Sequence, residues 1–158
     1  MSALPLVVDH RLAVNAPRGA LPRLDRAQLW RGLMLRMRCP DAFLPGLDDC
    51  LIEDEGDGAL RRRLRFGREE VLDRVVFLAE GAIEVEILVR PGGGSFRQRI
   101  AIEEGEDGEL WLHFRYEALS PDHCAGAAVE PLLRAAYEQA DRALVLRLRE
   151  LAAAGLLD

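Results

Sequence analysis

The first apolar segment of the chain predicts a strand. Residues 5–14 mix β-branched and polar side chains in the short alternating pattern that strands favour. Pro17, Gly19 and Pro22 then interrupt the pattern, and these residue types are typical of a loop. The chain is therefore expected to begin with one strand followed by an irregular connection.

Helical spacing begins after this loop. Asp25 and Gln28 match the capping box, in which the side chains of the first and fourth residues bond each other's backbone amides. Residues 26–38 then carry apolar side chains at helical spacing, namely Leu29, Trp30, Leu33, Met34 and Met37. Residues 41–47 contain a Pro-Gly pair and allow at most one more helical turn. We therefore expect two short helices between the first and second strands.

Residues 47–118 alternate apolar and polar side chains between frequent turn signals, which is typical of an antiparallel sheet. In each segment one set of alternating residues is apolar and the other is largely charged, so one face is expected to be buried and the other solvated. The turn signals lie at residues 56–58, 67, 80–81, 91–94 and 105–108. The spacing predicts six or seven strands in total.

A long helical pattern follows at residues 129–154, with Pro131 in the first turn, where proline is tolerated. The apolar face is expected to consist of Leu133, Ala136, Tyr137, Ala140, Leu144, Leu148 and Leu151. The outer face is expected to consist of Glu130, Arg134, Glu138, Arg142 and Arg149. Because the inner face of the sheet is the large apolar surface left to cover, we predict an α+β fold in which a curved antiparallel sheet wraps around this helix.

Composition limits the class of protein. The 158 residues are 49% hydrophobic and 30% charged, which is typical of one folded domain, here residues 1–158. The sequence contains no apolar run of the ~20 residues that cross a bilayer, and an early charge argues against a signal peptide. A cytoplasmic location without membrane insertion is therefore expected. Cys39, Cys50 and Cys124 lack the spacing of a disulfide framework or a zinc site.

Charge argues against a nucleic-acid partner. All 21 basic residues are arginines, against 27 acidic residues, and the formal net charge is −6. Binding of a polyanion needs a basic excess that releases counterions. The one basic cluster, at residues 61–65, is split between the two faces of a strand by the alternation of side chains. The lack of lysine and the richness in Ala, Arg and Leu resemble coding from a GC-rich bacterial genome.

Several short motifs resemble a known family. They are Asn15–Pro17, Gln28–Leu33, Cys50–Glu53 ahead of Asp57–Gly58, Tyr137–Arg142 and Arg147–Leu151. In this order, over about residues 8–152, they resemble the AtaL-like branch of the START-like, birch-pollen-allergen-type (SRPBCC) superfamily. The resemblance implies a helix-grip fold with a hollow between sheet and helix. Members of that superfamily bind lipids, hormones or polyketides, and some act as aromatase or cyclase proteins.

Polar and aromatic residues on the predicted inner faces are the candidate ligand-binding residues. Arg62 and Asp73 point inward from neighbouring strands, where a charged pair is costly unless the groups meet each other or water. They either anchor a ligand or form a structural ion pair. Trp30 either closes the mouth of the hollow or belongs to the core. The remaining candidates are Phe77, Gln98, Tyr116 and Tyr137.

Three functions stay open from the sequence. The leading hypothesis is binding of a hydrophobic or aromatic small molecule in the hollow, without a cofactor or a metal ion. The alternative is an enzyme of the cyclase, dehydratase or hydrolase type, in which Asp73 beside Arg62 is the general acid or base. The third is a filled core that acts through its surface, as a homodimer or with another partner.

Overall fold

Seven antiparallel strands form one sheet in the computed structural model, which describes residues 7–17, 19–79, 81–90, 95–119 and 130–158. The strands are β1 (Val7–Ala13), β2 (Asp49–Gly56), β3 (Ala59–Phe66), β4 (Glu69–Leu78), β5 (Ala82–Val89), β6 (Phe96–Glu104) and β7 (Leu110–Ala118). Their order across the sheet is β1-β7-β6-β5-β4-β3-β2, so β1 and β2 form the two edges. The antiparallel sheet predicted from the alternation is confirmed. Residues 5 and 6 of the first predicted strand, and the predicted turn at residues 91–94, lie outside the described residues.

Two short helical elements separate β1 from β2, as predicted. Helix α1 spans Arg26–Arg38, and a single 3₁₀ turn follows at Pro40–Ala42. The predicted capping box is present: Asp25 Oδ1 accepts from the Gln28 amide at 2.8 Å, and Gln28 Oε1 accepts from the Asp25 amide at 3.0 Å. Two of the four free amides at the start of α1 are thereby satisfied.

Helix α2 spans Glu130–Ala153 and packs on the inner face of the sheet. Its predicted first residue, Val129, lies outside the described residues. The core between sheet and helix is formed by the alternating apolar residues of the strands and by one face of α2, including Leu60, Val75, Ile83, Ile100, Leu112, Phe114, Leu144, Leu148 and Leu151. This architecture confirms the predicted α+β helix-grip fold. Among the described residues, no helix is long and apolar enough to cross a membrane.

Close contact between the two helices fixes their positions. A Cβ atom added at Gly32 of α1 would collide with Leu148 Cδ2 of α2, so glycine is needed for this approach. Beyond α2 the chain returns to α1, where Leu157 is buried and its carbonyl accepts from Arg31 Nε at 2.6 Å. Side chains of α1 and α2 that face the sheet are therefore held in fixed relative positions.

Three residues of α2 differ from the predicted faces. Arg149, expected outside, is buried, and its Nη1 and Nη2 donate to the carbonyls of Pro17 at 3.0 Å and Leu21 at 2.8 Å. The loop after β1 crosses α2 here, and its carbonyls accept the guanidinium hydrogen bonds. Ala136 and Ala140, expected on the inner face, are exposed because the first half of α2 is only partly covered.

Candidate functional site

A cavity of about 500 Å³ lies between the sheet, α2 and the segment that follows α1. We call it the inner cavity. Exposed lining residues, among them Pro45, Ala140 and Ala143, mark its opening to solvent. Its lining consists of Arg36, Phe43, Leu44, Pro45, Ile87, Arg90, Phe96, Gln98, Tyr116, Tyr137, Ala140, Asp141, Ala143, Leu144 and Arg147.

Three stacked aromatic rings form one wall of the inner cavity. Tyr137 of α2 stacks on Tyr116 of β7 with centroids 4.2 Å apart and an interplanar angle of 20°. Tyr137 also stacks on Phe96 of β6 at 6.0 Å and 12°. Register places these rings together, because Phe96 and Tyr116 lie on the inner faces of paired strands and Tyr137 lies on the helix face above them. The wall is flat, apolar and suited to a planar ligand.

A chain of hydrogen bonds joins polar groups of the lining, Gln98, Tyr116 and Asp141, to His10. The Tyr116 hydroxyl donates to Asp141 Oδ1 at 2.5 Å and accepts from Gln98 Nε2 at 3.0 Å. On the other side of the carboxylate, His10 Nε2 lies 2.6 Å from Asp141 Oδ2. His10 is held in turn by stacking on Phe114, with ring centroids 5.3 Å apart. Both carboxylate oxygens of Asp141 are therefore bonded, although its side chain is almost fully buried.

Burial changes the acidity of these groups. It raises the pKa of the Asp141 carboxyl, while the hydrogen bonds from Tyr116 and His10 and the nearby positive charge of Arg36 act in the opposite direction. It also raises the pKa of the Tyr116 hydroxyl far above its ordinary value, and the neighbouring Asp141 adds to this shift. The pKa of Tyr137 is raised mainly by burial. Both tyrosines therefore keep their protons at neutral pH.

Arg36 of α1 brings a positive charge to the inner cavity. Its guanidinium makes no hydrogen bond or ion pair with any residue that the structure describes. Burial lowers its pKa, partly offset by Tyr116 and Asp141, but arginine stays protonated at any physiological pH. The inner cavity thus contains a charged donor group with no acceptor among the residues that the structure describes.

No metal centre is visible in the described part of the chain, because no three His, Cys, Asp or Glu side chains lie close enough together to hold an ion. His10 is hydrogen-bonded to Asp141. His113 lies on the outer face of the sheet, and its Nε2 is 2.7 Å from Asp9 Oδ1. His123 lies outside the described residues.

Three of the seven predicted ligand-binding residues meet in the inner cavity. Gln98, Tyr116 and Tyr137 line it together, and the hydrogen bond between Gln98 and Tyr116 links two of them. Their common position follows from the alternation on β6 and β7 and from the helical spacing on α2.

Arg62 and Asp73 lie elsewhere, in a closed ion pair. Arg62 donates from Nε to Asp73 Oδ1 at 2.9 Å and from Nη2 to Oδ2 at 2.6 Å, and its Nη1 donates to the Met37 carbonyl at 2.9 Å. The two residues face each other directly in the β3–β4 register and do not line the inner cavity. This geometry favours the structural ion pair of the two interpretations made from the sequence. The ligand-binding role of these residues stays a prediction.

Trp30 and Phe77 line a different cavity of about 640 Å³, bordered also by Arg26, Leu78 and Ile102. We call it the Trp30 groove. The rings of Trp30 and Phe77 meet edge to face, with centroids 6.3 Å apart and an interplanar angle of 83°. Their predicted ligand-binding role is also untested, and they do not share a site with Tyr116 and Tyr137.

Four residues of the site were not predicted from the sequence: His10, Arg36, Phe96 and Asp141. Phe96 was expected on the inner face but not in the site, and the other three are charged or titratable residues. Asp141 lies one helical turn after Tyr137 and three residues before Leu144, in the middle of the apolar stripe of α2. A lone carboxylate in such a stripe is the signal that could have identified the site.

Comparison with known proteins agrees with the fold. The family model described as AtaL, acetylaranotin biosynthesis cluster protein L, matches residues 10–155. A comparison with curated protein sequences gives no match.

Solved structures with the same architecture include two enzymes and a START-superfamily protein. The ZhuI aromatase/cyclase from Streptomyces sp. R1128 has a TM-score of 0.66 and 19% identity, over 94% of each chain. Norcoclaurine synthase from Thalictrum flavum has a TM-score of 0.66 and 15% identity, over 96% of this chain and 88% of the other. The START-superfamily protein from Mycobacterium smegmatis has a TM-score of 0.65 and 17% identity, over 92% of this chain and 99% of the other. At these identities the similarity establishes the fold and not an activity.

Proposed function

We infer, from the premise that this chain belongs to the AtaL family, that it binds a planar aromatic small molecule in the inner cavity. One observation carries the proposal: the stacked rings of Phe96, Tyr116 and Tyr137 face a cavity of about 500 Å³ that opens to solvent. Small-molecule sites are concave, mostly apolar and equipped with a few convergent polar groups, which here are Gln98, Tyr116 and Arg36. Two proteins with a similar fold are named as an aromatase/cyclase and as norcoclaurine synthase, and these names support the proposal of an aromatic ligand.

The size of the inner cavity supports a ligand of two or three fused rings. Small-molecule pockets commonly enclose about 300–1,000 Å³. An aromatic ligand that stacks on Tyr137 gains about 0.5–1.5 kcal/mol beyond the area it buries. The filled-core interpretation assumed no hollow between sheet and helix, and the inner cavity lies at that position.

Titration calorimetry with neutral aromatic carboxamides of one to three rings tests this proposal. We expect saturable binding to the wild-type protein and a melting temperature that rises with probe concentration. Tyr137→Ala removes the central ring of the wall and should weaken binding by about tenfold, which corresponds to ~1.4 kcal/mol. Trp111→Ala is the matched control, because Trp111 is an exposed aromatic residue on the outer face of β7.

Two results would contradict the proposal. One is the absence of saturable binding for every ring size with folded protein. The other is equal affinity of the wild-type and Tyr137→Ala proteins, which would place the bound probe away from the aromatic wall.

Proton transfer is a second candidate function, and the chain His10–Asp141–Tyr116 is the observation that favours it. A carboxyl group whose pKa is raised by burial beside a cavity is suited to accept and release a proton. Asp141 would take a proton from a C–H bond beside a ligand carbonyl, and the electron pair of that bond would move to the carbonyl oxygen as an enolate. In this candidate Asp141 has the role that the sequence analysis gave to Asp73.

Deuterium incorporation tests proton transfer without knowledge of the natural ligand. 2-Tetralone, an aromatic ketone with acidic α-protons, is incubated with the protein in D₂O and followed by NMR. We expect exchange faster than in buffer, and a loss of about 100-fold in Asp141→Asn. Exposed Asp41 supplies the control variant Asp41→Asn, which should exchange at the wild-type rate. Exchange no faster than in buffer would contradict this candidate.

A further inference from the structure

Arg36 is a cavity-lining charge that none of the described residues neutralises by direct contact. The charged and titratable groups around it are Tyr116 on β7, Asp141 on α2 and the pair formed by Arg62 on β3 and Asp73 on β4. None of them makes a hydrogen bond or an ion pair with the Arg36 guanidinium. Asp141 is already bonded through both oxygens, and Asp73 is held by Arg62.

The other charges lining the inner cavity do not supply an acceptor. Two of them are further arginines, Arg90 and Arg147, and Asp141 is the one carboxylate among the described lining residues. Arg147 donates to the Ala42 carbonyl at 3.1 Å. Three guanidinium groups and one carboxylate therefore surround this space, in a chain whose formal net charge is −6. Arg147 also pairs with Glu150 at 3.8 Å, so Arg36 is the lining charge on which the preference for an anion depends.

We propose that the inner cavity selects aromatic ligands that carry a carboxylate or an equally acidic oxygen, and that Arg36 is the residue that binds this group. The inference rests on the proposed function, because it names the class of aromatic ligand. A partly buried guanidinium without an acceptor is costly, and its planar fork of donors matches a carboxylate through two parallel hydrogen bonds. A ligand anion supplies the missing acceptor while the aromatic wall holds the rings.

Paired probes test the proposal. Benzoate, 2-naphthoate and anthracene-2-carboxylate are each compared with the corresponding carboxamide, which has the same shape and no charge. For the wild-type protein we expect calorimetry to show about 10- to 100-fold tighter binding of the acid of the best-fitting pair. Arg36→Gln should reduce that ratio to about one, and Arg36→Lys should keep a preference for the acid.

Arg65→Gln is the matched control. Arg65 is exposed on β3, its side chain makes no hydrogen bond or ion pair in the described part of the chain, and it loses the same unit of charge on substitution. It should retain the full preference for the acid. If Arg65→Gln lost the preference as well, overall charge and not Arg36 would be responsible.

The possible results separate this inference from the proposed function. Equal binding of acid and carboxamide by the wild-type protein would overturn the inference and leave aromatic binding intact. An acid preference that survives in Arg36→Gln would overturn the assignment to Arg36. The absence of binding for all six probes would contradict both the proposed function and this inference.

Discussion

Two arginines on the inner side of this protein have opposite surroundings. Arg62 has all three of its donor nitrogens bonded, two of them to Asp73 and one to the Met37 carbonyl. The Arg36 guanidinium makes no hydrogen bond or ion pair with the described residues and borders a cavity of about 500 Å³. The same type of side chain thus has every donor nitrogen hydrogen-bonded in one place and has donors without an acceptor among the described residues in the other. A buried charged side chain whose donors are all bonded by the protein indicates a structural role. A charged side chain that lines a cavity without such bonds indicates a ligand-binding role.

Energetics explain why the two arrangements have different consequences. The charges of Arg62 and Asp73 are tolerable inside the protein only because each compensates the other, so removal of one leaves a buried charge. Arg36 contributes no such bond to the folded state. Substitutions should therefore separate stability from binding.

The largest effect is expected for Asp73→Asn. The variant leaves the Arg62 guanidinium without its counter-charge and should lower the free energy of unfolding by about 3–5 kcal/mol. Replacing both residues, as Arg62→Met/Asp73→Leu, should restore much of this loss because no lone charge remains. Urea denaturation measures all of these proteins. Glu53→Gln, which disrupts an exposed ion pair with Arg63, is the control and should have a far smaller effect. A comparably small loss for Asp73→Asn would contradict the structural role of the pair.

A smaller loss is expected for Asp141→Ala. The substitution leaves the buried Tyr116 hydroxyl and the His10 ring without their acceptor, which costs about 1–3 kcal/mol of unfolding free energy. Asp141→Asn keeps the shape and one acceptor oxygen, and should lose less. Thermal and urea unfolding of the two variants measure the difference. Equal stability of Asp141→Ala and the wild type would show that the network is not needed for the fold.

The stability gap between the wild type and Asp141→Asn should depend on pH. Burial raises the pKa of Asp141 in the folded state, so the folded protein binds this proton more tightly than the unfolded chain does. Protonation of Asp141 therefore contributes to the free energy of unfolding at low pH, and this contribution is lost as pH rises through the raised pKa. The wild-type advantage over Asp141→Asn should therefore widen as pH falls from about 7 to about 4.5.

Urea midpoints at several pH values measure this gap. Asp9 and Glu103 have lowered pKa values, through His113 and Arg11 respectively, and shift stability in the opposite direction. Both groups are present in the two proteins and cancel in the difference. A gap that is constant or that narrows at low pH would contradict the raised pKa.

The smallest stability effect is expected for Arg36→Met. No hydrogen bond or ion pair is lost, so the free energy of unfolding should change by less than about 1 kcal/mol. Differential scanning calorimetry without ligand measures this change. A loss as large as that of Asp73→Asn would remove the contrast between the two arginines.

The fold could be predicted in most respects because its signals are local. Alternation on β6 and β7 placed Gln98 and Tyr116 on the inner face, and the pair Asp25–Gln28 located the start of α1. Arg149 was assigned to the wrong face because its partners are carbonyls of a loop more than a hundred residues earlier. No spacing rule along a helix contains that information.

The site could be predicted only in part, because it is assembled by tertiary contacts. His10 and Asp141 are 131 residues apart in sequence, and neither belongs to a motif with the other. The inward position of Arg62 and Asp73 was visible in the alternation, but whether the two groups contact each other or a ligand depends on register and rotamer. Arg36 could not be identified from the sequence because it is distinguished by the lack of a hydrogen-bond acceptor among the described residues. A sequence pattern does not show such a lack.

The most direct test of the central claim is a crystal structure of the protein with 2-naphthoate bound. We expect the naphthalene ring to stack beside Tyr137 in the inner cavity, with the carboxylate within hydrogen-bond distance of Arg36. A ring bound instead in the Trp30 groove, or a carboxylate directed away from Arg36, would contradict it.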